Sequence, residues 1–161
     1  MSELNSTRLR ELLTYDPTTG IFTWRIGRKG RSTKAGSRAG RPHAKGYEWI
    51  GVDGERIMAH RIAWCYTHGY WPPHQIDHIN GDRADNRLTN LRLATAAENL
   101  QNKRTPQGAN PYLGVRNSRG RWQAYIHVNK KFIHLGMFDT PEDACDAYIR
   151  AKRVHHTFNT I

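Results

Sequence analysis

Apolar positions along the chain change period several times, and each change marks an element. Leu4, Leu9, Leu12 and Leu13 recur at helical spacing over residues 3–13 and predict a short amphipathic helix. Tyr15-Asp16-Pro17-Thr18-Thr19-Gly20 ends it with turn chemistry, and Ile21-Phe22-Thr23-Trp24 reads as a strand. Residues 47–52 and 56–58 flank Asp53-Gly54, a two-residue hairpin signal, because both turn residues tolerate positive φ. A helix follows to about Tyr66, ahead of Gly69, and Trp71-Pro72-Pro73 delivers an extended chain into Gln75. Leu91 and Leu93 alternate with Asn90, Arg92 and Ala94 as in a short strand, and Thr95 with Glu98 forms a capping-box pattern that starts a helix near Ala96.

Beyond this point Pro, Gly and polar residues dominate, and residues 105–111 read as a linker between a 1–104 unit and a 112–161 unit. In the second unit Tyr112-Leu113-Gly114-Val115-Arg116 is a short strand. Trp122 to Val128 alternates cleanly, and Phe132-Ile133-His134-Leu135 returns after Asn129-Lys130-Lys131. Thr140-Pro141 opens a helix whose Ala144, Ala147, Tyr148 and Ala151 share one face. The expected product is a three-stranded sheet packed on one helix.

Charge narrows the function. The 161 residues carry a formal charge of +11, which points to a polyanionic partner, nucleic acid first. Mean hydropathy of −0.79 and a hydrophobic content of 37% predict small, divided cores. No long apolar run predicts a membrane span, and the polar start shows no signal-peptide pattern, so a cytoplasmic location is expected. Two distant cysteines, Cys65 and Cys145, argue against structural zinc. From Arg25 to Lys45 there are eight cations and no acid among repeated glycines; this reads as an extended or disordered arm that can follow phosphates. Its contact candidates are Arg28, Lys29, Arg31, Lys34 and Arg38.

Gln75-Ile76-Asp77-His78-Ile79-Asn80-Gly81-Asp82, continued through Asn90 to Asn99, places a carboxylate beside an imidazole, then strand, loop, strand and helix. The segment resembles the HNH nuclease motif in the zinc-free form of phage and intron-encoded homing endonucleases. The run Ala59-His60-Arg61-Ile62-Ala63-Trp64 is similar to the helix that precedes that motif, and the likeness covers roughly residues 57–103. The resemblance implies a ββα-metal core in which Asp77 and the Asn99 side-chain oxygen bind a divalent metal. It casts His78 as general base, with Asn90 bracing the loop and orienting it. Mg²⁺ is the first candidate and Mn²⁺ the second, since a hard cation with oxygen ligands relieves phosphate charge. A neutral imidazole can deprotonate water near neutral pH.

Gly-Val-Arg, Gly-Arg-Trp, Leu-Gly-x-Phe-Asp-Thr and Glu-Asp-Ala in the second unit resemble the plant ethylene-response-factor DNA-binding domain, a type also found appended to phage HNH proteins. The resemblance implies a sheet face that enters the major groove. Alternation turns Trp122, Ala124 and Ile126 to the helix and Tyr125, His127, Phe132 and His134 outward. Arg116 matches a contact position, and Arg119, Arg121, Lys130 and Lys131 keep the unit basic. Leu113, Tyr125, His127 and His134 depart from the plant pattern, so base preference does not transfer.

The expected fold is α+β: an HNH core plus a small three-stranded antiparallel sheet on one helix. The expected activity is metal-dependent, site-preferring endonucleolytic cleavage of double-stranded DNA, without a small-molecule cofactor. The rivals are a DNA-binding regulator with an inactive HNH remnant and a nonspecific nuclease of DNA packaging or degradation.

Overall fold

Asn5 opens helix α1 (Ser6–Leu12): its side-chain oxygen accepts a hydrogen bond from the Arg8 amide at 3.0 Å. In this computed structural model, which describes residues 4–27, 33–106 and 110–161, the helix ends short of the expected boundary. Leu13 instead starts strand β1 (Leu13–Asp16), where buried Leu13 and Tyr15 alternate with exposed Thr14 and Asp16. Pairing with β2 (Ile21–Trp24) imposes this period of two on a sequence that also fits a helical stripe.

β2 also pairs with β3 (Arg38–Ala39), completing one antiparallel sheet. A second sheet holds β4 (Arg41–Pro42), β5 (Glu48–Val52) and β6 (Glu55–Met58), with Asp53 and Gly54 at φ 47° and 91° in the expected hairpin turn. Part of the expected extended or disordered arm is thus extended strand, where β3 and β4 pair their backbones with β2 and β5. Arg28, Lys29 and Arg31 lie outside the described residues.

Helix α2 (Ala59–His68) follows β6 directly and stops at Gly69, whose φ of 87° suits a left-handed cap. The chain then enters β7 (Gln75–His78), loops through residues 79–90 and returns as β8 (Leu91–Ala94). β7 and β8 are antiparallel, with Asp77 opposite Arg92 and His78 opposite Leu91. Leu9, Leu13, Phe22, Ile50, Val52 and Ile62 form the core beneath these elements. Each such side chain, fully buried, contributes about 1.5–3 kcal/mol.

The chain divides into two compact units, Met1–Ala94 and Thr95–Ile161. The second holds α3 (Ala96–Gln101), β9 (Val115–Ser118), β10 (Arg121–Val128), β11 (Lys131–Phe138) and α4 (Pro141–His155). Thr95 and Glu98 form the expected capping box on α3. The sheet order is β11-β10-β9, and α4 packs against all three strands through Ala144, Val115 and Ala124. The division falls before α3, whereas the sequence pattern places a linker after it. Hydrogen bonds account for the grouping: Gln101 accepts from the Phe158 amide, Asn102 and Arg104 engage Thr160, and buried Lys152 donates to the Lys103 carbonyl. The fold is mixed α+β, and among the described residues no helix is long and apolar enough to cross a membrane.

In the first unit the β1–β2 turn clamps the 79–90 loop. The Tyr15 hydroxyl donates to the Asn86 carbonyl at 2.7 Å, and the Leu88 amide donates to the Pro17 carbonyl at 3.3 Å. Gly20 sits at φ 74°, and a Cβ there would stand 2.5 Å from the Arg87 nitrogen and 2.6 Å from the Asn86 carbonyl carbon. Both obstacles are backbone, which cannot swing aside as a side chain can. Gly20→Ala is expected to destabilise the protein by about 1–3 kcal/mol. Thermal denaturation checks this, and an unchanged midpoint would show that turn and loop are not in firm contact.

Candidate active site

β7 ends at His78, and the chain turns at once: the Gly81 amide donates to the His78 carbonyl at 2.8 Å. Asn90 shapes the loop between the two strands. Its side-chain oxygen accepts from the Asn80 amide and its nitrogen donates to the Asp85 carbonyl, both at 2.9 Å. The Ile79 amide donates to the Asn90 carbonyl at the same distance, so one residue ties the loop at three points. Asp82 and Asp85 are used locally: Asp82 accepts from the Ala84 amide, and Asp85 accepts from Asn80 and a forked Arg87. The Arg87 guanidinium holds the Asp85 carboxyl down to about 2.

The His78 ring is enclosed, with 5% of the residue exposed. It lies edge-on to His60 at 5.0 Å between ring centroids, and Tyr47 tilts against both rings, at 5.3 Å from His60 and 5.8 Å from His78. Arg83 covers Tyr47 with its guanidinium 5.0 Å from the ring centre and donates to the Lys45 carbonyl. Burial lowers the His78 pKa; hydrogen bonding with Asn86 and the carboxylates of Asp77, Asp82 and Asp85 opposes that shift. His60 is pushed down to about 3, first by burial and then by the neighbouring His78 and Arg61. Both imidazoles therefore favour the neutral form, which a proton-accepting group requires.

Asp77 is buried beside its cross-strand neighbour Arg92, whose guanidinium meets Asp77 Oδ2 at 2.7 Å. This is the result of strand alternation: Asp77 turns to Arg92, while His78 turns to Tyr47 and His60. Asn99 lies on α3 in the second unit, one turn beyond the Thr95 cap. Among the described residues no group of three or more His, Cys, Asp or Glu side chains is arranged to hold a metal. The expected ligands are of a different kind, a carboxylate and a carboxamide oxygen.

Tyr47, His60, Asn86 and Arg92 were not among the sequence-derived site residues. His60 carried one usable signal, since it precedes Ala63 and Trp64 by three and four positions and so shares the buried face of α2. Tyr47 carried none, because its place depends on the pairing of β4 with β5.

The second unit presents the outward face that alternation predicts. Arg116, His127, Phe132 and His134 are exposed and Tyr125 is half-buried, while Ala124 and Ile126 are buried. Tyr125 stacks on Phe132 with centroids 5.4 Å apart, and the Arg116 guanidinium lies 5.4 Å and 5.8 Å from those two rings. Arg116 Nε donates to Gln123 at 2.6 Å, and Gln123 Nε2 meets His134 Nδ1 at 2.7 Å. Arg119, Lys130 and Lys131 are exposed around this face, and Arg121 is paired with Asp139. In the first unit Lys34 is exposed and Arg38 is paired with Glu48.

Residues 58–101 match the HNH endonuclease family. A solved structure described as showing DNA binding and cleavage by the HNH homing endonuclease I-HmuI shares 24% identity with this chain, with a TM-score of 0.46. The alignment covers 63% of this chain and 57% of that one.

Burial of neutral His60 predicts a pH dependence of stability. Above its ordinary value of 6.5 neither the folded nor the unfolded state binds the proton, so its contribution is fully present. Below 6.5 the unfolded chain gains a proton that the folded chain refuses, and stability falls until about pH 3. His60→Phe is expected to flatten this loss. Thermal midpoints measured across that range check it, and parallel curves for parent and variant would refute it.

Proposed function

We propose that the protein is a metal-dependent DNA endonuclease of HNH homing type. The observation that carries the reading is the enclosed, neutral His78 at the end of β7, on a loop braced by Asn90, within the segment that matches the HNH family.

His78 accepts the proton of the attacking water, and Asn90 keeps the loop from collapsing onto the ring. Tyr47 and His60 wall the imidazole and limit its rotation. Asp77 suits a hard divalent cation because it offers a carboxylate oxygen; Asn99 offers a carboxamide oxygen, and its ligand role rests on the motif resemblance. Mg²⁺, with Mn²⁺ as the alternative, supplies Lewis acidity at the phosphate when bound. Double-stranded DNA is the proposed substrate. The exposed face of Arg116, Tyr125, His127 and His134, with Lys130, Lys131 and Arg119 around it, is the proposed recognition surface of the second unit. Lys34, Arg38, Arg28, Lys29, Arg31 and Arg121 are proposed phosphate contacts, Arg38 and Arg121 after release from their carboxylates.

One observation favours a rival. Arg92 occupies Asp77 Oδ2, as it would in a DNA-binding regulator whose HNH segment no longer takes metal. Plasmid conversion separates the two readings. The parent protein with Mg²⁺ is expected to nick or linearise target-bearing DNA, and EDTA or His78→Ala to abolish this while binding persists. Firm binding without cleavage of a genomic DNA library would favour the regulator. Asp77→Ala is expected to lower activity and weaken its metal dependence together; an unaltered metal titration would remove Asp77 from the ligand set. Arg116→Ala with Tyr125→Ala is expected to weaken DNA binding and leave bound-state turnover intact, as read by electrophoretic mobility and single-turnover cleavage. Unchanged affinity would remove this face from recognition.

A further inference from the structure

We propose that Thr160 is a positioning residue: by clasping the end of α3, it holds the helix that carries Asn99 as a rigid part of the second unit. The segment that matches the HNH family, residues 58–101, ends with α3, yet α3 belongs to the compact unit Thr95–Ile161. A helix of 6 residues is too short to persist on its own local hydrogen bonds, and none of its residues is buried. The capping box of Thr95 and Glu98 secures its start. Its other end is where α4 and the chain beyond α4 take hold.

Each residue from Gln101 to Arg104 is bound there. Gln101 Oε1 accepts from the Phe158 amide at 3.3 Å, and Asn102 Oδ1 accepts from the Thr160 hydroxyl at 2.6 Å. The Lys103 carbonyl accepts from buried Lys152, and Arg104 donates to the Thr160 carbonyl at 3.2 Å and to its hydroxyl. That hydroxyl works in both directions, as donor to Asn102 and acceptor from Arg104, which an apolar side chain of the same shape cannot do. Asn102 caps the end of α3 and is 6% exposed, so withdrawing this donor carries a desolvation cost. The chain that bears Thr160 is fixed in its turn. Asn159 Nδ2 donates to the Ile161 main-chain oxygen at 2.9 Å, and the Ile161 amide donates back to Asn159 Oδ1 at 3.1 Å. Arg153 of α4 donates to the same Ile161 oxygen at 3.3 Å, and His156 Nε2 meets the His127 carbonyl of β10 at 3.0 Å. Residues 156–161 thus form a strap from the sheet and α4 to the end of α3.

The catalytic meaning of the inference rests on the role proposed for Asn99 in the nuclease; its first readout does not. Amide hydrogen exchange of the full-length protein, followed by NMR, compares residues 99–103 with the strand β10. Thr160→Val is expected to lower protection over 99–103 by about 10-fold and leave β10 as in the parent. Thr160→Ser, which keeps the hydroxyl, is expected to restore it. Lys152→Met cuts the clasp at a second point and is expected to act in the same direction, should the valine variant fold poorly. Unchanged protection over 99–103 in a folded variant, or an equal loss in β10, would overturn the proposal. In cleavage assays Thr160→Val is expected to raise the Mg²⁺ concentration for half-maximal rate by about 10-fold, with DNA affinity in EDTA unchanged. A parental metal titration, or a loss of DNA affinity in its place, would also overturn it. A parent that cleaves no DNA sinks the nuclease reading and leaves the exchange measurement to decide the clasp on its own.

Discussion

One carboxamide fixes the geometry on which the first unit's chemistry depends. Asn90 accepts from Asn80, donates to Asp85 and closes the base of the loop through its own carbonyl. Each bond contributes only about 0.5–1.5 kcal/mol net, but breaking one would leave a partly buried polar group unsatisfied at further cost. Acting together on a loop of about a dozen residues, they remove the freedom of the chain to carry His78 away from Tyr47 and His60. The β1–β2 turn completes the restraint from the opposite side, since Gly20 approaches so closely that the loop cannot relax outward.

Charge is distributed with the same economy. Five of the eight acids among the first unit's described residues are engaged by a cation: Glu11 and Asp53 by Arg8, Glu48 by Arg38, Asp85 by Arg87 and Asp77 by Arg92. Such pairs at the surface contribute little stability. Their larger effect is to decide which cations remain. Among the described residues of the first unit Arg10, Arg25, Lys34, Arg41, Lys45, Arg56 and Arg83 are exposed and in no ion pair; Arg56 lies over the Trp49 ring at 4.8 Å and Arg83 over Tyr47 at 5.0 Å.

Much of the fold was legible because the local signals agreed with one another. The Asp53-Gly54 hairpin, the Gly69 stop, the Thr95-Glu98 capping box and the Thr140-Pro141 start each place chemistry at a fixed offset from an element boundary, and no distant residue is needed to read them. Leu13 was misread because its apolar neighbours fit both periods, and only pairing with β2 decides between them. The arm was read as extended or disordered; its strand pairing was not legible, because a basic, glycine-rich composition describes solvation and not pairing, and β3 and β4 are two residues long. Around the end of β7 and its loop, Asp77, His78 and Asn90 were singled out from the sequence by the motif they resemble. Tyr47, His60 and Asn86 were not, because their roles arise where β5, α2 and the loop meet. No period in the sequence encodes that meeting.

The adjacency of Asp77 and His78 poses the sharpest physical question about the site. Neighbouring strand residues face opposite ways, and the structure obeys that rule: the carboxylate turns to Arg92 and the imidazole to an aromatic wall. The strand ends at His78, so only one side of the pair is held by the sheet, and the ring is placed by the loop and the residues behind it. A buried carboxylate without a counter-charge would carry a heavy desolvation penalty, which Arg92 offsets. A divalent cation at Asp77 would supply a stronger counter-charge and leave the guanidinium with less to hold it. On the proposed reading, Arg92 would compete with the metal for Asp77 and, once displaced, would be a cation free to meet a phosphate. The ion pair that balances the buried carboxylate is, on that reading, the contact a metal would have to displace.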